Sequence, residues 1–123
     1  MKFIATNKAP AALGPYSQGV DTGNTLYISG CLGLIPETGA LAGDTIEAQA
    51  SQALKNIEAI LAEAGYIKEN IVRCDVYLSD LADFAAFNKV YADFFGTHKP
   101  ARNCVRADIV KNAKVEICPI AVK

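Results

Sequence analysis

The chain has 123 residues and a formal net charge of −1, with 51% hydrophobic and 20% charged side chains. That length fits one domain spanning residues 1–123, and so few polar residues on a small fold point to a buried subunit interface. Disordered, collagenous and membrane-spanning classes are excluded, since no apolar run approaches the ~18–20 residues that cross a bilayer.

The opening segment Met1–Lys8 lacks the apolar stretch of a signal peptide, which implies a cytoplasmic protein. Lys2–Ala5 predicts a first short strand. The loop Gly14-Pro15-Tyr16-Ser17-Gln18 leads into a second, Gln18–Thr22. Gly23-Asn24 supplies a tight turn, because both residues tolerate positive φ, and Thr25–Ser29 returns as a third strand. Gly30–Gly43 reads as loop. Asp44 with Glu47 three residues on predicts a helix start, and Ile46, Ala50, Ala53, Leu54, Ile57, Ile60, Leu61 and Ala64 follow the 3.6-residue period. Gly65 supplies its stop.

Ile71–Ser79 predicts a strand with Val72, Cys74, Val76 and Leu78 on one face and Arg73, Asp75 and Tyr77 on the other. Asp80 or Asp83 opens a second helix with the stripe Phe84, Phe87, Val90, Tyr91, Phe94 and Phe95, closed by Gly96. Strands at Arg102–Ile109 and Lys114–Val122 complete a β-β-β-α-β-α-β-β order. The fold class is α+β, a mixed sheet with both helices on one face. The other face, with Tyr27 and Tyr77, is left for a partner subunit.

Charge is divided unevenly. Residues 1–98 carry six basic and eleven acidic side chains, net −5, whereas residues 99–123 carry six basic and two acidic, net +4. Arg102, at the entry of its strand beside the small Cys104, can offer a carboxylate two parallel hydrogen bonds. It can equally be a surface arginine paired with an acidic residue. Glu116 shares its face with Cys118, Ile120 and Val122, and a lone carboxylate on an apolar stripe is costly unless paired or functional. It can therefore be a general base or water-holding group, or a structural ion pair with Arg102 or Arg106.

Other chemistries lack residues. Four single cysteines (Cys31, Cys74, Cys104, Cys118) and one histidine give no metal-ligand spacing, so no metal is expected. No Gly-x-Gly-x-x-Gly or Walker motif implies a nucleotide cofactor. His98, in Gly96-Thr97-His98-Lys99-Pro100, reads as a solvated loop residue. The basic residues of the last segment are not interleaved with aromatics, which argues against a nucleic-acid ligand.

Gly14-Pro15-Tyr16-Ser17-Gln18, Ser29-Gly30 with Pro36-x-Thr38-Gly39, Pro100-Ala101-Arg102-x-Cys104-Val105, Val115-Glu116-Ile117 and Ile120-Ala121-Val122 together resemble the RidA/YjgF family over essentially the whole chain. The resemblance implies a chorismate-mutase-like fold in a barrel-like homotrimer, with active sites in clefts between subunits. It implies hydrolysis of 2-imino acids such as 2-iminopropanoate and 2-iminobutanoate to 2-keto acids and ammonia, protecting pyridoxal-phosphate enzymes, without metal or cofactor. By position, Arg102 would bind the substrate carboxylate and Glu116 would stand near the attacking water. Tyr16, Ser29, Gly30, Asn88 and Cys104 would form the pocket wall, and Phe84 its apolar end. Two alternatives accompany this reading: a non-catalytic carboxylate-binding regulator, and an RNA-directed activity. The chain departs from the family pattern at Cys31, at Val110-Lys111 with a shorter turn before Glu116, and at Pro119.

Overall fold

Strands β1 (Lys2–Ile4), β2 (Gly19–Asp21) and β3 (Thr25–Ile28) form an antiparallel meander in the computed structural model, which describes residues 1–123. The β2–β3 turn is the expected one, with Gly23 at φ 115° and its N–H bonded to the Asp21 carboxylate. The predicted loop after residue 30 contains one more strand, β4 (Cys31–Leu32), too short for any sequence period to reveal. Helix α1 (Ile46–Ala64), strand β5 (Ile71–Leu78), helix α2 (Phe84–Phe95), and strands β6 (Ala101–Arg106) and β7 (Val115–Val122) follow.

The sheet runs β1-β2-β3-β7-β5-β6, with β4 also on β7. Only β5 and β6 are parallel, as expected for strands joined through a helix. The buried side chains of α1, of α2 and of one sheet face form a single core, so both helices cover the same face. On the other face Tyr27 remains 51% exposed and Val105 50% exposed.

Local details correct several expectations. The cap of α1 is Thr45, not Asp44. Thr45 is extended (φ −104°, ψ 152°) and its hydroxyl accepts from the Ala48 N–H, whereas Asp44 lies one residue too early. Of the two starts offered for α2, Asp83 is its N-cap residue, with the helix beginning at Phe84, whereas Asp80 caps a short 3₁₀ turn, Leu81–Asp83, by accepting from the Ala82 N–H. A bulge between Ile71 and Arg73 turns Val72 outward and buries Ile71 in its place. Strand β6 stops at Arg106, because residues Val110–Asn112 form a 3₁₀ turn with Lys111 and Asn112 at φ 61° and 54°. Gly65 ends α1 in the left-handed region as expected, its N–H bonded to Ala62.

Three buried amides fasten the loops to this frame. Gln18 bonds to the backbone of Thr6, Ala9 and Pro10. Gln49 donates to the Gly43 carbonyl and accepts from the Lys114 N–H. Asn56 donates to the carbonyls of Leu32 and Leu34. Each satisfies backbone groups that would otherwise be stranded away from water. At Gly33 an added Cβ would lie 2.2 Å from the Gln49 carbonyl oxygen, so β4 can approach α1 only without a side chain there.

Candidate functional site

The break between β3 and β4 creates a cavity. β3 pairs with β7 up to Ile120, and β4 resumes pairing at Ile117. Between them the chain swings out at Ser29-Gly30. Pro119 stands opposite this gap, where a residue without an N–H leaves no ladder bond unmade on that side. The space beside the break has a volume of about 630 Å³, and Tyr16, Ser29, Gly30, Cys31, Lys111 and Glu116 are among its walls.

Glu116 is the charged group of this wall nearest the break. Its carboxyl lies against Gly30, where an added Cβ would stand 2.7 Å from the Glu116 Cδ. No cation lies within ion-pairing distance, since the chain's one ion pair joins Arg73 and Asp75 at 3.0 Å. Burial without compensation raises its pKa above the ordinary carboxylate value. Both ion pairs considered for Glu116, with Arg102 and with Arg106, are thereby overturned.

Ser29 donates its hydroxyl to the Ser17 carbonyl at 2.6 Å, and its N–H bonds to Gln18. That pins the loop carrying Tyr16, whose side chain is 56% exposed at the cavity mouth. Replacing Gly30 by alanine should push the Glu116 carboxyl toward solvent rather than break the fold, because the colliding atoms end a flexible side chain. The expected result is a lower Glu116 pKa in an NMR titration with Tm nearly unchanged.

Arg102 lies elsewhere. It pairs across the sheet with Cys74, whereas Glu116 pairs with Tyr77. Cys74 and Tyr77 are three residues apart on one strand and so point to opposite faces. Arg102 and Glu116 of one chain therefore cannot face each other across one pocket, contrary to the simplest reading of the strand pattern.

Arg102 occupies a box built by α2. Phe84, Asn88 and Tyr91 recur at the spacing of one helix face, with Phe87 beside them. The Asn88 carbonyl oxygen accepts from the guanidinium at 2.7 Å, and its central carbon lies 5.0 Å from the Tyr91 ring centre, 5.6 Å from Phe84 and 5.9 Å from Phe87. No carboxylate neutralises it, which overturns the surface ion-pair reading. Cys104 follows two residues later on the same face, half-buried.

Burial raises the pKa of Cys31, Cys74 and Cys104, and that of Cys118 to about 12, so thiolate chemistry is suppressed. His98 is not solvated as expected: its Nε2 lies 2.7 Å from the Ile71 carbonyl, and its ring packs near Phe95. It anchors the α2–β6 loop. No group of three His, Cys, Asp or Glu side chains converges on a common point. No helix is long and apolar enough to cross a membrane.

The structure thus sorts the expected site residues into two groups. Tyr16, Ser29, Gly30 and Glu116 line the cavity, while Phe84, Asn88, Arg102 and Cys104 belong to the α2–β6 side. Sequence reading missed Tyr91 as a neighbour of Arg102, treating it as core. The signal was its position three residues after Asn88 and seven after Phe84. It also missed Lys111 on the cavity wall, which only the closure of the 110–112 turn brings there.

Comparison with known proteins matches this architecture over its full length. A family model described as Endoribonuclease L-PSP matches residues 6–123. The 2-iminobutanoate/2-iminopropanoate deaminase of Salmonella typhimurium is 48% identical, over 99% of this chain and 98% of that protein. Reactive Intermediate Deaminase A, chloroplastic, of Arabidopsis thaliana is 45% identical over 98% of this chain, which spans 65% of that longer protein. The crystal structure of Escherichia coli TdcF with bound serine superposes with a TM-score of 0.95 at 41% identity, covering 100% of this chain and 99% of the other. Sequence and fold agree over essentially the whole chain, and the chain belongs to the RidA/YjgF family.

Proposed function

We propose that this protein hydrolyses 2-imino acids, such as 2-iminopropanoate and 2-iminobutanoate, to 2-keto acids and ammonia. The observation that carries the proposal is the pair of unneutralised groups on opposite sheet faces, a boxed guanidinium and a desolvated carboxylate. Each is half of a site for an anionic substrate and a water. An assembly through the helix-free face that sets the β6 edge of one subunit, with Arg102, against the Glu116 cavity of the next would join the two halves. The exposed apolar residues of that face, Tyr27 and Val105, support such an assembly, and a homotrimer with inter-subunit sites satisfies it.

In this reading Arg102 holds the substrate carboxylate through two N–H donors, fixing the imine carbon beside Glu116. Glu116 accepts a proton from water as its oxygen bonds to that carbon. That proton passes to nitrogen to give a carbinolamine; Glu116 then takes the proton of the new hydroxyl and delivers it to the amine, so that the C–N bond breaks and ammonia leaves as the carbonyl forms. Gly30 allows the carboxylate its close approach, Ser29 fixes the loop, and Tyr16, Phe84, Asn88 and Cys104 complete the walls. The deaminases at up to 48% identity support the same reaction class.

The test generates 2-iminobutanoate in situ from threonine with a pyridoxal-phosphate dehydratase and follows 2-ketobutanoate release. Catalytic amounts of this protein should accelerate release above the solvent rate. Binding of 2-ketobutanoate with no acceleration would instead favour a carboxylate-binding regulator, a reading to which the serine-bound TdcF structure lends support. The absence of both binding and acceleration would sink the proposal.

A further inference from the structure

We infer that Tyr91 is a positioning residue that holds the Arg102 guanidinium in the orientation in which it receives a carboxylate. The inference rests on the reading of Arg102 as the carboxylate anchor, and it adds to the site a residue that need not touch the substrate.

Arg102 springs from β6, the edge strand of the sheet, and lies only half-buried. A long side chain in that setting samples many rotamers unless something stops it. No acidic residue does so, and its one side-chain hydrogen bond, to Asn88, fixes a single nitrogen. One bond leaves the plane of the guanidinium free to swing about it. A second restraint must come from a surface, and the nearest is the Tyr91 ring, 5.0 Å below the central carbon and closer than Phe84 or Phe87. The negative face of an aromatic ring attracts a guanidinium and favours stacked geometries.

Tyr91 is itself immobile. It is 8% exposed and packs against Phe87 with ring centres 5.4 Å apart and against Phe95 at 4.7 Å. Phe84, by contrast, is 40% exposed and can serve as the substrate's wall. The Tyr91 hydroxyl is buried and meets at most the weakly bonding Cys74 thiol, so it does little to hold α2 in place. The ring, not the hydroxyl, carries the role.

That division makes the role testable. In Tyr91→Phe the ring persists, so the Kd for 2-ketobutanoate should stay within about twofold and Tm should change little, because the hydroxyl has at most a weak thiol partner. In Tyr91→Leu, or in Tyr91→Met as a second aliphatic variant, Kd and KM should rise about tenfold with kcat nearly unchanged. The direct signature is the Arg102 Nε–H resonance, displaced by the ring current in wild type and in Tyr91→Phe and returning to an ordinary arginine shift in the aliphatic variants. An unchanged resonance in those variants overturns the inference, as does a Tyr91→Phe that loses affinity as far as they do. A wild type that binds no 2-keto acid overturns the functional reading alone, and the resonance then still decides the part played by Tyr91.

Discussion

Arg102→Ala should lower kcat/KM for 2-iminobutanoate by about 30- to 1000-fold, equivalent to ~2–4 kcal/mol for a lost bidentate charge-assisted contact. The fold should tolerate the change. Arg102 lies on an edge strand, pairs with no carboxylate, and gives up only the Asn88 bond and its place among the α2 rings. Arg102→Lys is the sharper variant. It keeps the charge, but a single ammonium cannot offer two coplanar donors and stacks less well on the aromatic box. Its activity should fall most of the way to that of alanine, and its affinity for 2-ketobutanoate should fall with it. Lysine at wild-type activity would mean that net positive charge, not the fork, binds substrate. Alanine at the wild-type rate would remove Arg102 from the reaction.

The elements that sequence made legible are those with long periods and plain punctuation. Helix α1 could be read from its apolar stripe and from Gly65, because nineteen residues give the pattern several turns to repeat. The alternation of β7 also held, since Val115, Ile117, Pro119 and Ala121 are all buried on the helix side and Glu116 lies on the other. What stayed hidden was set by pairing between distant strands. The two residues of β4 carry no period, yet their pairing with β7 opens the gap beside which the cavity lies. The facing of Arg102 relative to Glu116 depends on how β6 and β7 each register against β5, information held in neither strand alone. Gln18, Gln49 and Asn56 look like ordinary surface amides until the loops they fasten are known. Tyr91 was visible as a core residue; its second role required the arginine arriving from another strand.

Glu116→Gln should separate activity from stability. The carboxyl is half-buried, unpaired and raised in pKa by desolvation, so its ionised form strains the fold that holds it. A folded-state pKa above the unfolded one places the favourable contribution below the ordinary value of 4.5. That contribution is lost as pH rises through the folded pKa. Glutamine has nothing to ionise, so the variant should match wild type near pH 4 and exceed it in Tm at pH 7. Its activity should move the other way. Without a group to accept the proton from water, kcat should fall roughly 100-fold, the lower end of what a positioned base contributes. In wild type the acid limb of the kcat/KM profile should then sit above the ordinary carboxylate range, and it should vanish from the residual activity of Glu116→Gln. A thermal melt series and a pH–rate profile on both proteins check the two signs together. Equal pH dependence of Tm in wild type and variant would show that Glu116 is solvated in the assembled protein, and a retained acid limb would assign the base to another residue.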